Sequence, residues 1–508
     1  MILINSSSKK SAQIFQVFYP IHPPVGLGYL AVFAKGAGIK TTIVDEQIEQ
    51  NILKAIQKIL PEHPVPYFFG FSVLTSAYKS SIEIAEKLKN LYPDSFIVFG
   101  GVHPTSAPDE TLQYPFIDAV IRGEAENPLI DLYKAVRAQK DLSSVSNLSY
   151  KKNGQIMHNP LSYIVQDIKD YPAFPYHLFD PTKYDLGFIM TSRGCPYQCI
   201  FCSCRNLPGS TRYRFRPPEA VVNEIEYLYK TYGLTTIILI DDNFLVNKKR
   251  VYDLIAHLKA HGLQDKITYS FQARGDSVEY QLFKDMHEVG LNTVLFGFET
   301  ASEDLMKTIK KGETVADCIE GVKIAKQAGI TIGGTFVFGF PGETTQDRHD
   351  CVRFSKKYGI DIARYNNAVP YPGTELFVIA QKEGRLVIKG LYENFIAITG
   401  IAENPFNRLP LPYVPEGSTE AEIKRDILLS FFAHYFDFST TYKMFFKQVK
   451  EAKWFSLGRG TMSFLKKLPA LIILGFLLVI KFLQLLHYLF LKRSTALTLK
   501  QIASLYKY

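Results

Sequence analysis

Residues 193–202 read Arg193-Gly-Cys-Pro-Tyr-Gln-Cys-Ile-Phe-Cys202, and this stretch decides the fold. It sets three thiols at C-x3-C-x2-C directly after the short apolar run Phe188–Thr191. Three soft ligands on one short loop suit three irons of a cubane cluster and leave its fourth iron without a protein ligand. An open iron can take a chelating substrate and pass it one electron. The alternatives are a chance grouping or a closed zinc site with Cys204 as fourth ligand, which would crowd four ligands onto a single loop. Cys318 and Cys351 stand alone and read as small buried hydrophobes.

Downstream of the loop, apolar runs alternate with helical patterns. Phe188–Thr191, Thr236–Ile240, Ile267–Phe271, Thr293–Phe296, Thr335–Phe338 and Ile362–Asn366 read as strands. Ala220–Tyr232, Lys249–His261 and Cys318–Gln327 read as helices between them. Six such units imply a partial (β/α)6 barrel over 186–390, short of the usual eight. Asp241, Arg274, Glu299, Gly339 and Gly342 all fall just after barrel strands, on the rim where such barrels carry their chemistry. Each is also readable as an ordinary cap, ion-pair partner or turn residue.

Upstream, residues 1–135 show a second α/β rhythm, with strands at Met1–Asn5, Thr41–Asp45, Tyr67–Val73, Phe96–Phe99 and Ala119–Ile121. Helices are expected at Gly28–Lys35 and Ser80–Leu91, which makes a parallel sheet covered on both faces. Gly100-Gly101 and Gly123-Glu124 follow strands, where open sheets bind ligands. A turn-rich linker is expected over 136–185, and a helical region over 391–508.

The cysteine loop, with the aromatic Phe201 before its last cysteine, resembles the signature of radical S-adenosylmethionine (SAM) enzymes. The resemblance implies that Cys195, Cys199 and Cys202 hold a [4Fe-4S] cluster and that SAM chelates the open iron. Reductive cleavage then gives methionine and a 5′-deoxyadenosyl radical. It further implies that Gly297-Phe-Glu-Thr300 lies near the SAM ribose or amino group, that Gly339-Phe-Pro-Gly-Glu-Thr344 lies on the adenine side, and that Arg274 pairs with the SAM carboxylate. Asp241 is implied at the rim in Ile240-Asp-Asp-Asn-Phe244.

Pro23-Pro-Val-Gly-Leu-Gly-Tyr-Leu-Ala31, Gly100-Gly-Val-His-Pro-Thr105 and Arg122-Gly-Glu-Ala-Glu126 resemble the branch that carries an N-terminal Rossmann-like cobalamin-binding domain. That branch includes many methyltransferases and the anaerobic magnesium-protoporphyrin ester cyclase. Gly100, Gly101, His103, Gly123 and Glu124 are then the expected cobalamin contacts. The chain departs from the D-x-H-x-x-G motif of many cobalamin domains, because His22 is followed by Pro-Pro-Val-Gly and lacks the aspartate. His103 is the alternative histidine near cobalt or corrin, or a structural loop residue. No cysteine precedes Cys195, which excludes the second cluster of methylthiotransferases.

The 508 residues suggest about three domains, and the charge is split between them. From Thr440 to Tyr508 there are 12 Lys/Arg and one acid, leaving 46 bases against 48 acids in the rest. The high pI thus describes a basic tail on a nearly neutral body, and no nucleic-acid partner is expected. Leu468–Leu491 is 24 residues long and broken only by Lys481, with Lys466, Lys467, Lys492 and Arg493 at its ends and Trp454 upstream. It reads as a surface-lying membrane helix with Lys481 snorkelling to headgroups, a single span, or a buried helix. No secretory signal opens the chain, so a cytoplasmic enzyme on the inner membrane face is expected. The expected partners are a small hydrophobic substrate (a lipid, isoprenoid or tetrapyrrole) and an electron donor such as flavodoxin or ferredoxin. Methylation of an unactivated carbon is the leading reading; a cyclase or oxidoreductase is second, and a non-catalytic cobalamin sensor third.

Overall fold

The computed structural model describes residues 1–7, 21–161, 167–397, 409–436 and 475–505. Two sheets organise it. The first contains β1 (Ile2–Asn5), β2 (Thr42–Asp45), β3 (Phe68–Ser72), β4 (Phe96–Gly100), β5 (Ala119–Ile121), β6 (Leu148–Lys152) and β7 (Gln155–His158), in the order β2-β1-β3-β4-β5-β6-β7. The first five strands are parallel, and β6 and β7 are antiparallel. Phe69, Phe71 and Phe99 face one apolar cluster, and Phe68 and Val98 face the other, as strands buried on both faces require. Helices α1 (Val25–Gly36), α2 (Ile52–Ile59), α3 (Tyr78–Leu91), α4 (Val102–Ser106), α5 (Pro108–Leu112) and α6 (Glu126–Arg137) accompany this sheet. The stretch expected as a linker therefore supplies two sheet strands. Asn153 and Gly154, both at positive φ, make the turn between them.

The second sheet begins with β8 (Phe188–Ile189), while β9 (Ser192–Arg193) and β10 (Arg214–Phe215) form a small antiparallel ribbon bracketing the cysteine loop. Strands β11 (Thr236–Leu239), β12 (Thr268–Ala273), β13 (Leu291–Glu299), β14 (Thr331–Phe338) and β15 (Ile362–Asn367) complete it in the order β15-β14-β13-β12-β11-β8, all parallel. This is the expected six-stranded arc. Its helices are α7 (Pro218–Tyr232), α8 (Lys248–Ala260), α9 (Tyr280–Glu288), α10 (Glu303–Thr308), α11 (Val315–Gln327), α12 (Thr345–Lys357) and α13 (Glu375–Lys382).

Helix α14 (Glu420–Tyr435) packs on α12 and on the edge strand β15, where the Tyr435 hydroxyl donates to Ala363 O at 2.9 Å. A helix over 475–486 and a π turn at His487–Leu491 rest against α14, with the Phe432 and Phe482 rings 5.5 Å apart. One face of this segment, Leu477, Lys481, Gln484, Leu485 and Tyr488, is buried. Lys481 is only 1% exposed, so it does not snorkel; it lies on the face turned to the body. Phe476, Val479, Phe482, Leu483 and Phe490 are exposed on the other side. No helix among the described residues is long and apolar enough to cross a membrane. Trp454, Lys466 and Lys467 lie outside the described residues.

Candidate active site

The cysteine loop is held from three directions. Asp241, at the end of β11, accepts the backbone N–H groups of Thr191 (2.7 Å) and Ser192 (2.9 Å), and also contacts the Thr191 hydroxyl and Arg250. Its carboxylate braces the strand that feeds the loop rather than turning to the rim. Ile200 donates to Ile309 O and accepts from Leu376 N, which plugs the loop into an apolar cluster with Phe340. The ring of Phe201 lies 5.3 Å from that of Phe340, joining the loop to Gly339–Thr344. Gly194, at φ 88°, has no room for a Cβ, which would fall 2.5 Å from the carbonyl oxygens of Ser210 and Arg212.

The third hold comes from the first sheet. Arg193 pairs with Glu126 at 2.8 Å and Glu124 at 3.4 Å, and Arg214 takes Glu124 through two bonds of 2.8 and 3.1 Å. Burial opposes charge on Glu126, yet Arg193 keeps its carboxyl below the usual range. Gly123, at φ 84°, packs its α-carbon on Pro208 of the cysteine-loop region. Gly123 and Glu124, expected as cobalamin contacts, are thus the clamp between the two sheets.

Burial pushes the Cys199 thiol up to about 11 and also raises Cys195, whereas the hydrogen bond with Cys204 pulls Cys202 down to about 7. Cys204 also donates to Asp242 Oδ2 at 3.3 Å, and the same oxygen accepts Gly194 N. A single zinc at about 2.3 Å from each sulfur needs the sulfurs about 3.8 Å apart. No three ligating side chains among the described residues gather to hold one ion. Three thiols on one short loop are soft donors of the kind a [4Fe-4S] cluster takes.

Beside Cys199 runs a buried charge network that single residues in the sequence did not reveal. Lys311, 6% exposed, lies 3.1 Å from Glu299 Oε1 and 3.7 Å from Glu313 Oε1. Burial opposes its charge, but the two carboxylates and Cys199 hold its ammonium well above the usual range. Arg274 bonds Asp276 at 2.8 and 3.0 Å, donates to Lys311 O at 2.5 Å, and stacks 3.6 Å over the Tyr197 ring of the cysteine loop. Each of its nitrogens has a protein partner, so it braces the cysteine loop. Glu299 ends β13 at a register shift with φ 62°, a left-handed conformation that costs a non-glycine residue about 1–3 kcal/mol. Bulges of this kind re-aim a side chain beside active sites. A Cβ on Gly297 would sit 2.5 Å from Glu299 Oε1 and 3.1 Å from Lys311 Nζ, so glycine there leaves room for this pair. The network holds two cations and three carboxylates. SAM, with a sulfonium, an ammonium and one carboxylate, complements that deficit.

Gly339 and Gly342 both take positive φ, 99° and 76°, and Gly339 N–H donates to Glu343 Oε2 at 2.5 Å. They shape the turn after β14 that meets Phe201. Gly100 and Gly101 line an apolar cleft with Leu27, Phe71 and Phe99 at the strand ends of the first sheet. A Cβ on Gly101, at φ 98°, would fall 2.8 Å from Val73 N. The cleft lies at the strand ends, where open α/β sheets bind ligands. His103 does not reach it. Its ring is fully buried 4.0 Å from Tyr78 and 4.8 Å from Tyr392, with Nδ1 3.3 Å from Thr75 Oγ1. Burial lowers its pKa to about 3. His22 lies tilted against Phe188, with ring centroids 4.8 Å apart, and contacts Pro23 O. Neither histidine is therefore placed as an axial ligand in the cleft.

Residues 189–355 match the radical SAM superfamily and residues 13–132 match the B12 binding domain. An uncharacterised methyltransferase of Pyrococcus horikoshii is 36% identical over 364 residues, which is 70% of this chain and 78% of that protein. The anaerobic magnesium-protoporphyrin IX monomethyl ester cyclase of Cereibacter sphaeroides is 26% identical over 376 residues, covering 70% of this chain and 60% of the relative. Among solved structures, the cobalamin-dependent SAM radical enzyme OxsB with aqua-cobalamin and SAM bound superposes with a TM-score of 0.68 at 18% identity. That match covers 97% of this chain and 73% of OxsB, and it shows the fold. With its cysteine loop on a six-stranded arc and a B12 sheet clamped against it, this chain belongs to the cobalamin-binding-domain-containing radical SAM enzymes, whose cofactors are a [4Fe-4S] cluster, SAM and cobalamin.

Proposed function

We propose that the enzyme transfers a methyl group to an unactivated carbon of a hydrophobic substrate of lipid, isoprenoid or tetrapyrrole type. The observation that carries this reading is the clamp of Arg193 and Arg214 on Glu124 and Glu126, which holds the strand ends of the B12 sheet against the cysteine loop. A B12 sheet held beside the cysteine loop suits a reaction in which a substrate radical meets a methyl donor. Cys195, Cys199 and Cys202 are proposed to hold the cluster, which supplies the electron that cleaves SAM. Glu299 is proposed to receive the SAM ammonium, braced by Lys311, while Phe201, Gly339 and Gly342 shape the adenosine side. Gly100 and Gly101 admit cobalamin to the cleft. Arg274 and Asp241 hold the cysteine loop in place.

The exposed ridge of Phe476, Val479, Phe482, Leu483 and Phe490, in a tail with 12 Lys/Arg and one acid, supports a surface-lying attachment to anionic lipid. The test is anaerobic incubation of the cluster- and cobalamin-loaded enzyme with methyl-labelled SAM and a lipid extract. Label appearing in an extractable product is the expected result. Consumption of SAM to 5′-deoxyadenosine with an oxidised or cyclised, unlabelled product would favour the second reading, an oxidative cyclase, which the identity to the cyclase relative supports.

A further inference from the structure

A chain of buried charges runs from the turn after β14 to the C-terminal segment. Glu343 accepts Gly339 N–H and lies 3.2 Å from Arg348 Nη1. Arg348 Nε donates to Asp426 Oδ2 of α14 at 2.7 Å. The other oxygen of Asp426 accepts Arg425 Nε, also at 2.7 Å, and has His349 Nε2 at 3.5 Å. Arg425 Nη1 in turn donates to the backbone oxygen of Thr495 at 2.7 Å. Arg348 and Asp426 are fully buried, and Arg425 and Thr495 are 2% and 1% exposed. Thr495 closes its own turn by donating to Tyr488 O, and Tyr488, Leu489, Leu497 and Leu505 join the core of the barrel.

The two oxygens of Asp426 thus serve two different clients, one leading to the SAM-side loop and one to the tail. We infer that Asp426 is a positioning residue that couples the seating of the C-terminal segment to the seating of the Gly339–Glu343 loop, so that tail docking regulates SAM binding. This rests on the reading of that loop as part of the SAM site, which its Phe340–Phe201 contact with the cysteine loop supports. The physical cause is the penalty for a buried charge that loses its partner. If the tail lifts, Arg425 loses its acceptor and Asp426 is free to follow it, and Arg348 then holds Glu343 less firmly. Burial disfavours the Asp426 anion, but His349, Arg348 and Arg425 hold its pKa at about 2, so the hub stays charged at working pH. Coupling between sites is reciprocal, so SAM must also hold the tail down.

The test uses the full-length, cluster-loaded protein. Equilibrium dialysis gives the SAM Kd, and limited trypsin digestion reports cleavage around Lys492 and Lys500. In the wild type, SAM is expected to slow this cleavage about tenfold. Asp426→Asn raises the SAM Kd by about the same factor, abolishes the protection, and leaves cobalamin affinity unchanged. Arg425→Lys keeps the charge beside Asp426 but loses the reach to Thr495 O, so it speeds cleavage and weakens SAM together; it carries the test if the asparagine variant does not fold. A wild-type tail cut at one rate with and without SAM overturns the proposal, as does wild-type SAM affinity in both variants. A wild-type protein that holds iron but binds no SAM overturns the reading of the site itself, and this proposal with it.

Discussion

Replacing Lys311 with methionine tests the buried network most directly. The side chains are close in length, so the change removes the ammonium while nearly keeping the volume. It strands Glu299 and Glu313, whose side chains are 10% and 0% exposed. Removing one partner of a buried pair costs about 3–5 kcal/mol. Glu313 keeps Arg274 at 3.9 Å and the N–H of Gly275 at 3.0 Å, which places the loss near the low end, about 3 kcal/mol. Burial already raises the Glu313 pKa, with Lys311 opposing that rise. Without Lys311 it rises further. A carboxyl whose folded pKa exceeds its unfolded value contributes stability below the unfolded value and loses it as pH climbs through the folded value. The deficit of Lys311→Met is therefore largest near pH 8 and shrinks as pH falls towards 5. Urea unfolding of the cofactor-free protein, followed by tyrosine fluorescence at both pH values, measures it. Equal urea midpoints for variant and wild type at pH 8, or a deficit that does not change with pH, would refute the reasoning.

Four further outcomes follow from the geometry. Cys199→Ser abolishes iron uptake in anaerobic reconstitution while Cys204→Ser retains it, as iron analysis and the visible spectrum report. Gly101→Ala forces a Cβ to 2.8 Å from Val73 N at a positive φ; it weakens cobalamin binding about tenfold or more, read by spectral titration, with iron content unchanged. His103 is neutral in the fold and protonates on unfolding below about pH 6.5, so acid destabilises the native state. From pH 6.5 to 5 this amounts to about 2 kcal/mol, which His103→Phe removes from the pH profile of urea unfolding. Glu126→Gln leaves Arg193 a single carboxylate partner, Glu124 at 3.4 Å; cobalamin-loaded protein then shows faster protease cleavage near residues 193–214, and an unchanged cleavage rate would count against the clamp.

The strands of both sheets were legible because their apolar runs are bounded by turn residues, and the cysteine loop because its spacing admits little other chemistry. The β6–β7 hairpin escaped a reading that had set 136–185 aside as linker, although Asn153-Gly154 is a hairpin-turn signal. The charge network was harder. Lys310-Lys311-Gly-Glu313 looks like a solvated loop, and only the fold carries Lys311 inward to Glu299. Arg348 and Asp426 are 78 positions apart, and nothing local in either helix announces the pair. Asp241 and Arg274 fall at the rim by sequence position, which does not show that each also braces the cysteine loop. Lys481 was misplaced for a similar reason, since hydropathy does not say which face of a helix packs.

Arg193 precedes Cys195 by two residues, a length of backbone that extends about 7 Å at most. Its guanidinium is pinned to Glu124 and Glu126 at the foot of α6. The B12 sheet is therefore tethered to the first cysteine of the loop like a lever to its fulcrum. A swing of that sheet by more than a few ångströms must either snap the tether or drag Cys195 with it. Parting the two halves of the molecule therefore has to break the pairs of Arg193 and Arg214 with Glu124 and Glu126 first.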